Sequence, residues 1–131
     1  VTEAVADCDF VCVHAALTET SRHMVGDAVF RAMKPGVHFL NAARGPVVDE
    51  AALIQALEAG GIASATLDVF ETEPLPETSP LWSFENVVVT PHIADLVDDW
   101  YRRMAVAFCD NLERALKGEV LSNIVDPARG Y

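Results

Sequence analysis

Lysine is almost missing from this sequence. Only Lys34 and Lys117 are lysines among nine basic residues, set against twenty acidic ones, so the formal net charge is −11 and the pI is near 4.5. A field of that sign repels nucleic acid and anionic membranes, and neither is expected as a partner. An acidic, lysine-poor surface suits a high-salt cytoplasm, where ions screen self-repulsion, and an ordinary acidic protein explains it equally well. Unchanged thermal stability between low and multimolar salt would sink the high-salt reading. Apolar runs are short as well, none approaching the roughly 20 residues that a membrane span needs. No secretory-leader pattern opens the chain, although without a methionine at Val1 that absence carries little weight. Cysteine is sparse and odd in number. Cys8 and Cys12 alternate with apolar residues, Cys109 lies in a helical pattern, and none has metal-ligand spacing. Reduced core thiols in a cytoplasmic protein are expected, with neither a disulfide nor a metal site.

What is present is a chain long enough for one real core, 131 residues with 51% hydrophobic and 22% charged. That balance is globular rather than disordered. Asp9 to His14 (DFVCVH) reads as a short strand buried on both faces. After the irregular Ala15 to Gly26, Asp27 is placed to cap a helix through Lys34, which Pro35-Gly36 ends. Val37 to Leu40 is a second strand, running into Asn41-Ala42-Ala43-Arg44-Gly45-Pro46. Asp49 is an N-cap for a helix over residues 50–59 with Leu53, Ile54 and Leu57 as its apolar stripe, closed by Gly60-Gly61. Ile62 to Phe70 reads as a third strand, Glu71 to Pro80 as a stiff exposed loop with three prolines and three glutamates, and Asn86 to Thr90 as a fourth strand stopped by Pro91. A long helix is expected over Asp95 to Lys117, with Leu96, Trp100, Met104, Phe108, Leu112 and Leu116 recurring every four residues and Gly118 ending it.

Strands alternating with helices make the fold class α/β with a parallel sheet. In such sheets ligands bind outside the carboxyl ends of the strands. The rule selects His14, Arg44, Asp68 with Glu73, and His92 as residues that should share one rim. An arginine there suits a carboxylate or carbonyl oxygen because its donors form a planar fork. His92 can exchange a proton near neutral pH, and Glu73 can accept its second N–H and fix the tautomer. Asp68 can accept from an amide such as a carboxamide. Each has a plainer reading too: Arg44 paired with Asp49 or Glu50, His92 bonded to backbone beside Pro91, Asp68 as a turn cap, Glu71 and Glu73 as solvated loop charges.

Taken in order, HAALTETSRHMVG, MKPGVHFLNAARGPVVDEAALIQAL, LDVFETEPLPETSPLW and NVVVTPHIA resemble the D-isomer-specific 2-hydroxy acid dehydrogenases over nearly the whole chain. The resemblance implies the C-terminal half of a doubly wound, Rossmann-type parallel sheet closed by a long C-terminal helix. Residues 1–118 would be the nicotinamide half of a dinucleotide-binding domain, and 119–131 a tail returning toward a substrate domain that this chain does not contain. It implies catalytic roles for Arg44 (substrate carboxylate and carbonyl), Glu73 (partner of the catalytic histidine) and His92 (acid/base). Ala15, Ala42, Ala43, Arg44, Asp68, His92 and Ala94 would lie along the cofactor, NAD or NADP, with Asp68 at the nicotinamide. Glu71 matches no role and is expected to be a surface charge. The pattern departs from the family at Ala16, where a proline is usual, and at Asp95, where a small residue is common. Asp95 is expected to cap the long helix.

The activity implied is hydride transfer between NAD(P) and a 2-hydroxy/2-oxo acid, of the glyoxylate/hydroxypyruvate reductase type, in a cytoplasmic homodimer. No G-x-G-x-x-G occurs, nor the acidic residue that follows it. The chain is therefore expected to be a fragment, inactive alone, with an exposed apolar edge at its first strand. Alternatives of the same fold are an NAD(H)-sensing, corepressor-like binding module and a formate- or phosphite-type dehydrogenase.

Overall fold

The computed structural model describes residues 1–129 and divides into two compact units, Val1–Ala94 and Asp95 onward. In the first unit, a short helix α1 (Thr2–Val5) precedes strand β1 (Phe10–Val13), then α2 (Asp27–Ala32), β2 (His38–Asn41), a 3-10 turn at Gly45–Val47, α3 (Glu50–Glu58), β3 (Ser64–Leu67), a second 3-10 turn at Pro80–Ser83 and β4 (Val87–Val89). The four strands form one sheet in the order β1-β2-β3-β4, all parallel. The α/β class and the parallel sheet are as the alternation of elements implies. Because every strand runs the same way, the segments after Val13, Asn41, Leu67 and Val89 all leave from one rim.

The register explains which side chains make the core. Val11, Phe39, Ala65 and Val87 stand in one row and Val13, Asn41, Leu67 and Val89 in the next, on the face that packs with α2 and α3. Phe39, Val37, Ile62, Leu67, Leu81 and Val47 are fully enclosed, and Phe30 meets Phe39 edge-on with centroids 5.2 Å apart. Side chains alternate across a strand, so the intervening residues point the other way. Phe10 is 65% and Val88 56% exposed, and Cys12 and Thr66 are exposed with them. β1 is therefore not buried on both faces, and among the described residues it lies at the sheet edge with its outer hydrogen-bonding groups unpaired by a strand.

Several boundaries differ from the sequence reading, each for a local reason. α2 stops at Ala32 rather than Lys34, since Pro35 disfavours helical backbone just before it and Met33 is already extended. Its N-cap is Gly26, with Asp27 as the first helical residue and ion-paired to Arg31. The strands are shorter than the apolar runs because pairing ends where a neighbour turns away. Asp49 does cap α3, its carboxylate accepting from Ala52 N–H at 3.0 Å. The cysteines are not core thiols: Cys8 is half-buried, and Cys12 and Cys109 are exposed, on the open sheet face and on the last helix.

The second unit consists of α4 (Trp100–Lys117) and the segment after it. The helix starts five residues later than Asp95, so Asp95 does not cap it. Asp99 holds the N-cap position without a capping bond and pairs instead with Arg103 at 2.7 Å. Gly118, at φ 69°, ends the helix in the left-handed conformation that glycine tolerates best, returning its N–H to Ala115 O and that of Glu119 to Arg114 O. Asn111 fastens the tail by accepting from Ser122 N–H at 2.8 Å. The predicted apolar stripe is present, and no residue of α4 is buried. Gly130 and Tyr131, the end of the tail, lie outside the described residues.

Candidate active site

Glu73 and His92 meet directly, and Asp68 holds the backbone around His92. Asp68 follows β3 at once and is buried, 5% exposed. Its Oδ1 accepts from the Thr90 hydroxyl and from Ile93 N–H at 3.0 Å, and its Oδ2 accepts from Ala94 N–H at 2.8 Å. Burial alone would push the Asp68 carboxyl up. The Thr90 hydroxyl, the two backbone N–H groups and the nearby His92 outweigh it and hold the group below the ordinary carboxylate value. One carboxylate thus clamps the segment on both sides of His92. The residue itself sits at φ 54°, a left-handed conformation that a side chain adopts at a cost and that fixed neighbours must maintain.

His92 Nδ1 lies 2.7 Å from Glu73 Oε2, with both side chains partly exposed. The other carboxylate oxygen, Oε1, accepts from Phe70 N–H at 3.0 Å and so closes the turn that carries it; the Glu73–Pro74 peptide is cis. Burial raises Glu73, but the His92 hydrogen bond, the Phe70 N–H and the charges of His92 and Arg44 together bring it below 4.5. With Nδ1 engaged by Glu73, Nε2 of His92 is the nitrogen left to face a ligand.

Arg44 stands just past β2, exposed, at the start of the Gly45–Val47 turn. It makes no salt bridge to Asp49 or Glu50 among the described residues. Its Nη1 donates to Ala43 O at 2.7 Å, and the rest of the fork makes no hydrogen bond or ion pair among the described residues. Ala43 is itself buried, its N–H bonded to Asn41 Oδ1 at 3.1 Å. A cavity of about 400 Å³ opens beside His92, lined by Asp68, Phe70, Glu73, Leu75, Trp82 and Val89 among others. Its lining combines a few polar groups, Asp68, Glu73, Thr90 and His92, with apolar ones, the usual make-up of a small-molecule site.

The order and spacing of these groups match a known family. The profile of the D-isomer specific 2-hydroxyacid dehydrogenase NAD-binding domain covers residues 1–94. The chain belongs to that family. Among curated relatives it is 51% identical to glyoxylate/hydroxypyruvate reductase B of Cronobacter sakazakii over 122 residues, which is 93% of this chain and 38% of the relative. It is 48% identical to the reductase of the same name from Yersinia pestis, again covering 93% of this chain and 37% of the relative. The chain thus spans under two fifths of the length of these relatives. Among solved structures, the D-isomer specific 2-hydroxyacid dehydrogenase of Xanthobacter autotrophicus Py2 in complex with NADPH and MES superposes with a TM-score of 0.92 at 47% identity, over 99% of this chain and 53% of that one. The NADPH-dependent glyoxylate/hydroxypyruvate reductase of Sinorhizobium meliloti, in complex with NADP and sulfate, gives 0.91 at 32% identity, over 99% and 42%.

Within this dehydrogenase domain the remaining expected positions are less engaged. His14 is exposed past β1, and Ala15 and Ala42 are half-buried on the rim; no side-chain hydrogen bond or ion pair links His14 to the other rim groups among the described residues. Glu71 is exposed, as expected of a surface charge, and it is also engaged: it sits 2.8 Å from His23 Nε2 and accepts from Glu50 N–H at 3.2 Å. Thr90 and Asn41 were not singled out from the sequence. Their signal is slight, a hydroxyl one residue before Pro91-His92 and an amide at the end of an apolar strand, and only the fold shows what they bond.

Asp68 borders the cavity with one acceptor position on Oδ2 still unused, which is what a carboxamide N–H₂ would need. No helix is long and apolar enough to cross a membrane among the described residues.

Proposed function

We propose that this chain supplies the catalytic rim of an oxidoreductase that interconverts a small 2-oxo acid, of the glyoxylate or hydroxypyruvate kind, and its 2-hydroxy acid with NADP(H) or NAD(H). The observation that carries the reading is the 2.7 Å contact between His92 Nδ1 and Glu73 Oε2, with Arg44 close enough to lower the same carboxylate. Support comes from the reductase names of the relatives and the NADPH and NADP in the superposed structures.

In the reducing direction the Arg44 fork holds the substrate carboxylate and polarises the adjacent carbonyl oxygen. Bound nicotinamide supplies the hydride to that carbonyl carbon. His92 delivers the proton from Nε2 to the developing alkoxide, and Glu73, on Nδ1, fixes the tautomer and stabilises the imidazolium. Ala15, Ala42, Ala43 and Ala94 offer backbone and small side chains along the cofactor, and Asp68 offers its unused acceptor to the carboxamide. No metal enters the scheme. A homodimer acting in the cytoplasm is proposed from the family resemblance alone, and sedimentation of the full-length protein reads the dimer.

The test is reduction of glyoxylate and hydroxypyruvate by the full-length protein carrying this chain, followed by nicotinamide absorbance with NADPH and NADH. Activity with either acid, and loss of about 10²–10⁴-fold in kcat for His92→Ala with cofactor affinity preserved, is the expected result. An unchanged kcat in that variant would overturn the assignment.

A further inference from the structure

Glu73, the proposed partner of the proton donor, and Arg44, the proposed carboxylate clamp, sit on different loops, and a knot of side chains outside the site ties those loops together. His23 bonds both. Its backbone N–H donates to Pro46 O at 2.8 Å, two residues from Arg44, and its Nε2 meets Glu71 Oε1 at 2.8 Å, two residues from Glu73. Glu71 and Glu50 then exchange bonds: Glu50 N–H donates to Glu71 Oε1 at 3.2 Å and Glu71 N–H to Glu50 Oε2 at 3.1 Å. Glu71 thereby satisfies the first N–H of α3 from outside that helix and holds its own turn against the helix start.

The connection runs without a gap to the reacting groups. Phe70, next to Glu71, donates its N–H to Glu73 Oε1 at 3.0 Å, and Glu73 Oε2 meets His92 at 2.7 Å. On the other side, Gly45 lies so close to the Phe70 carbonyl that a Cβ there would be 1.8 Å from the oxygen. His23 has φ 51°, a left-handed conformation in which asparagine, aspartate and histidine are the commonest non-glycine residues.

We infer that Glu71, held by His23 and Glu50, is a positioning residue that sets the spacing between the His92–Glu73 pair and Arg44. It touches neither substrate nor cofactor. This rests on the function proposed above. A geometric error of about 1 Å in such a site costs on the order of 10²-fold in rate, so the expected effect of loosening the knot falls on kcat.

The experiment compares Glu71→Ala, Glu71→Gln and His23→Asn in the full-length protein. Asparagine tolerates the left-handed backbone and is too short to reach Glu71. Glutamine keeps the oxygen that accepts from His23 and Glu50 N–H. The expected result is a fall of about 10–100-fold in kcat for Glu71→Ala and His23→Asn, with the KM for NADPH within about twofold, and near-complete recovery in Glu71→Gln. Carbon-13 titration of the Glu73 carboxyl, which faces His92 and Arg44, should show its midpoint rising toward the ordinary value in the two damaging variants and staying low in Glu71→Gln. Unchanged kcat per folded molecule together with an unchanged Glu73 titration, whatever happens to Tm, would overturn the inference. If Glu71→Ala does not fold, His23→Asn against Glu71→Gln decides. A wild-type protein that reduces neither acid would refute the function proposed above, and the Glu73 titration would still decide the role of the knot.

Discussion

Gly45 and Phe70 touch through their backbones: a Cβ on residue 45 would fall 1.8 Å from the Phe70 carbonyl oxygen and 2.5 Å from the Glu71 nitrogen. Only a residue without a side chain fits, and the contact brings the loop bearing Arg44 onto the turn bearing Glu73.

Gly45→Ala is therefore expected to destabilise the protein by about 3 kcal/mol, at the upper end of overpacking costs, because the obstacle is backbone that cannot rotate away. Denaturant unfolding measures it. A loss of under about 1 kcal/mol would mean that the two loops are not in contact in solution.

Arg44→Lys keeps the charge and loses the fork. Replacing a two-point grip by a single ammonium should lower kcat/KM for the 2-oxo acid by roughly 10–100-fold, the equivalent of one charged hydrogen bond, while the KM for the cofactor holds. Steady-state kinetics with both substrates varied separates the two.

Asp68→Asn should cost about 2–3 kcal/mol, since a buried amide presents donors to a site built from three donors, Thr90 O–H and the N–H groups of Ile93 and Ala94. Its signature is local. Amide exchange at Ile93 and Ala94 should accelerate more than at core positions such as Phe39.

Acid should weaken the His92 turn in a defined window. Glu73 is lowered from 4.5, so the folded state holds its proton less tightly than the unfolded chain does. Stability from that carboxylate is fully present above about 4.5 and is lost as pH falls through the lower, folded-state value. Asp68, lowered from 3.8, acts in the same sense further down. In Glu73→Gln the stability difference from wild type should be flat near neutral pH and should shrink as pH drops below about 4.5. A difference independent of pH would show that Glu73 is not held as a carboxylate by His92.

The chemistry of the rim was legible in the chain because it is written in short, ordered motifs. NAARG, LDVFETEP and TPHIA place Arg44, Asp68, Glu73 and His92 just after apolar runs, and parallel strands must deliver such residues to one edge. Asp49 was legible as a cap for the same reason, since capping depends on three or four neighbouring residues. Other features depend on partners far along the chain. The exposure of Phe10 and Cys12 follows from their standing on the sheet face opposite α2 and α3, where Thr66 and Val88 are exposed too, which the run of β1 cannot reveal by itself. The start of α4 at Trp100 instead of Asp95, likewise, was hidden in an apolar repeat that runs through both positions. Glu71 looked like one more loop carboxylate because His23 and Glu50 are 48 and 21 residues away.

The sequence alone determined the parallel α/β class, the residues that follow the strand ends and the family, since strand periodicity and local motifs are properties of neighbours. Tertiary structure decided what each group is free to do. It engaged most of Asp68 with Thr90, Ile93 and Ala94, left Arg44 without an ion pair among the described residues, and turned His92 so that Glu73 holds one ring nitrogen and not the other. Hydrogen bonds between residues 19 to 26 positions apart made those choices, and burial sets how strongly each one acts.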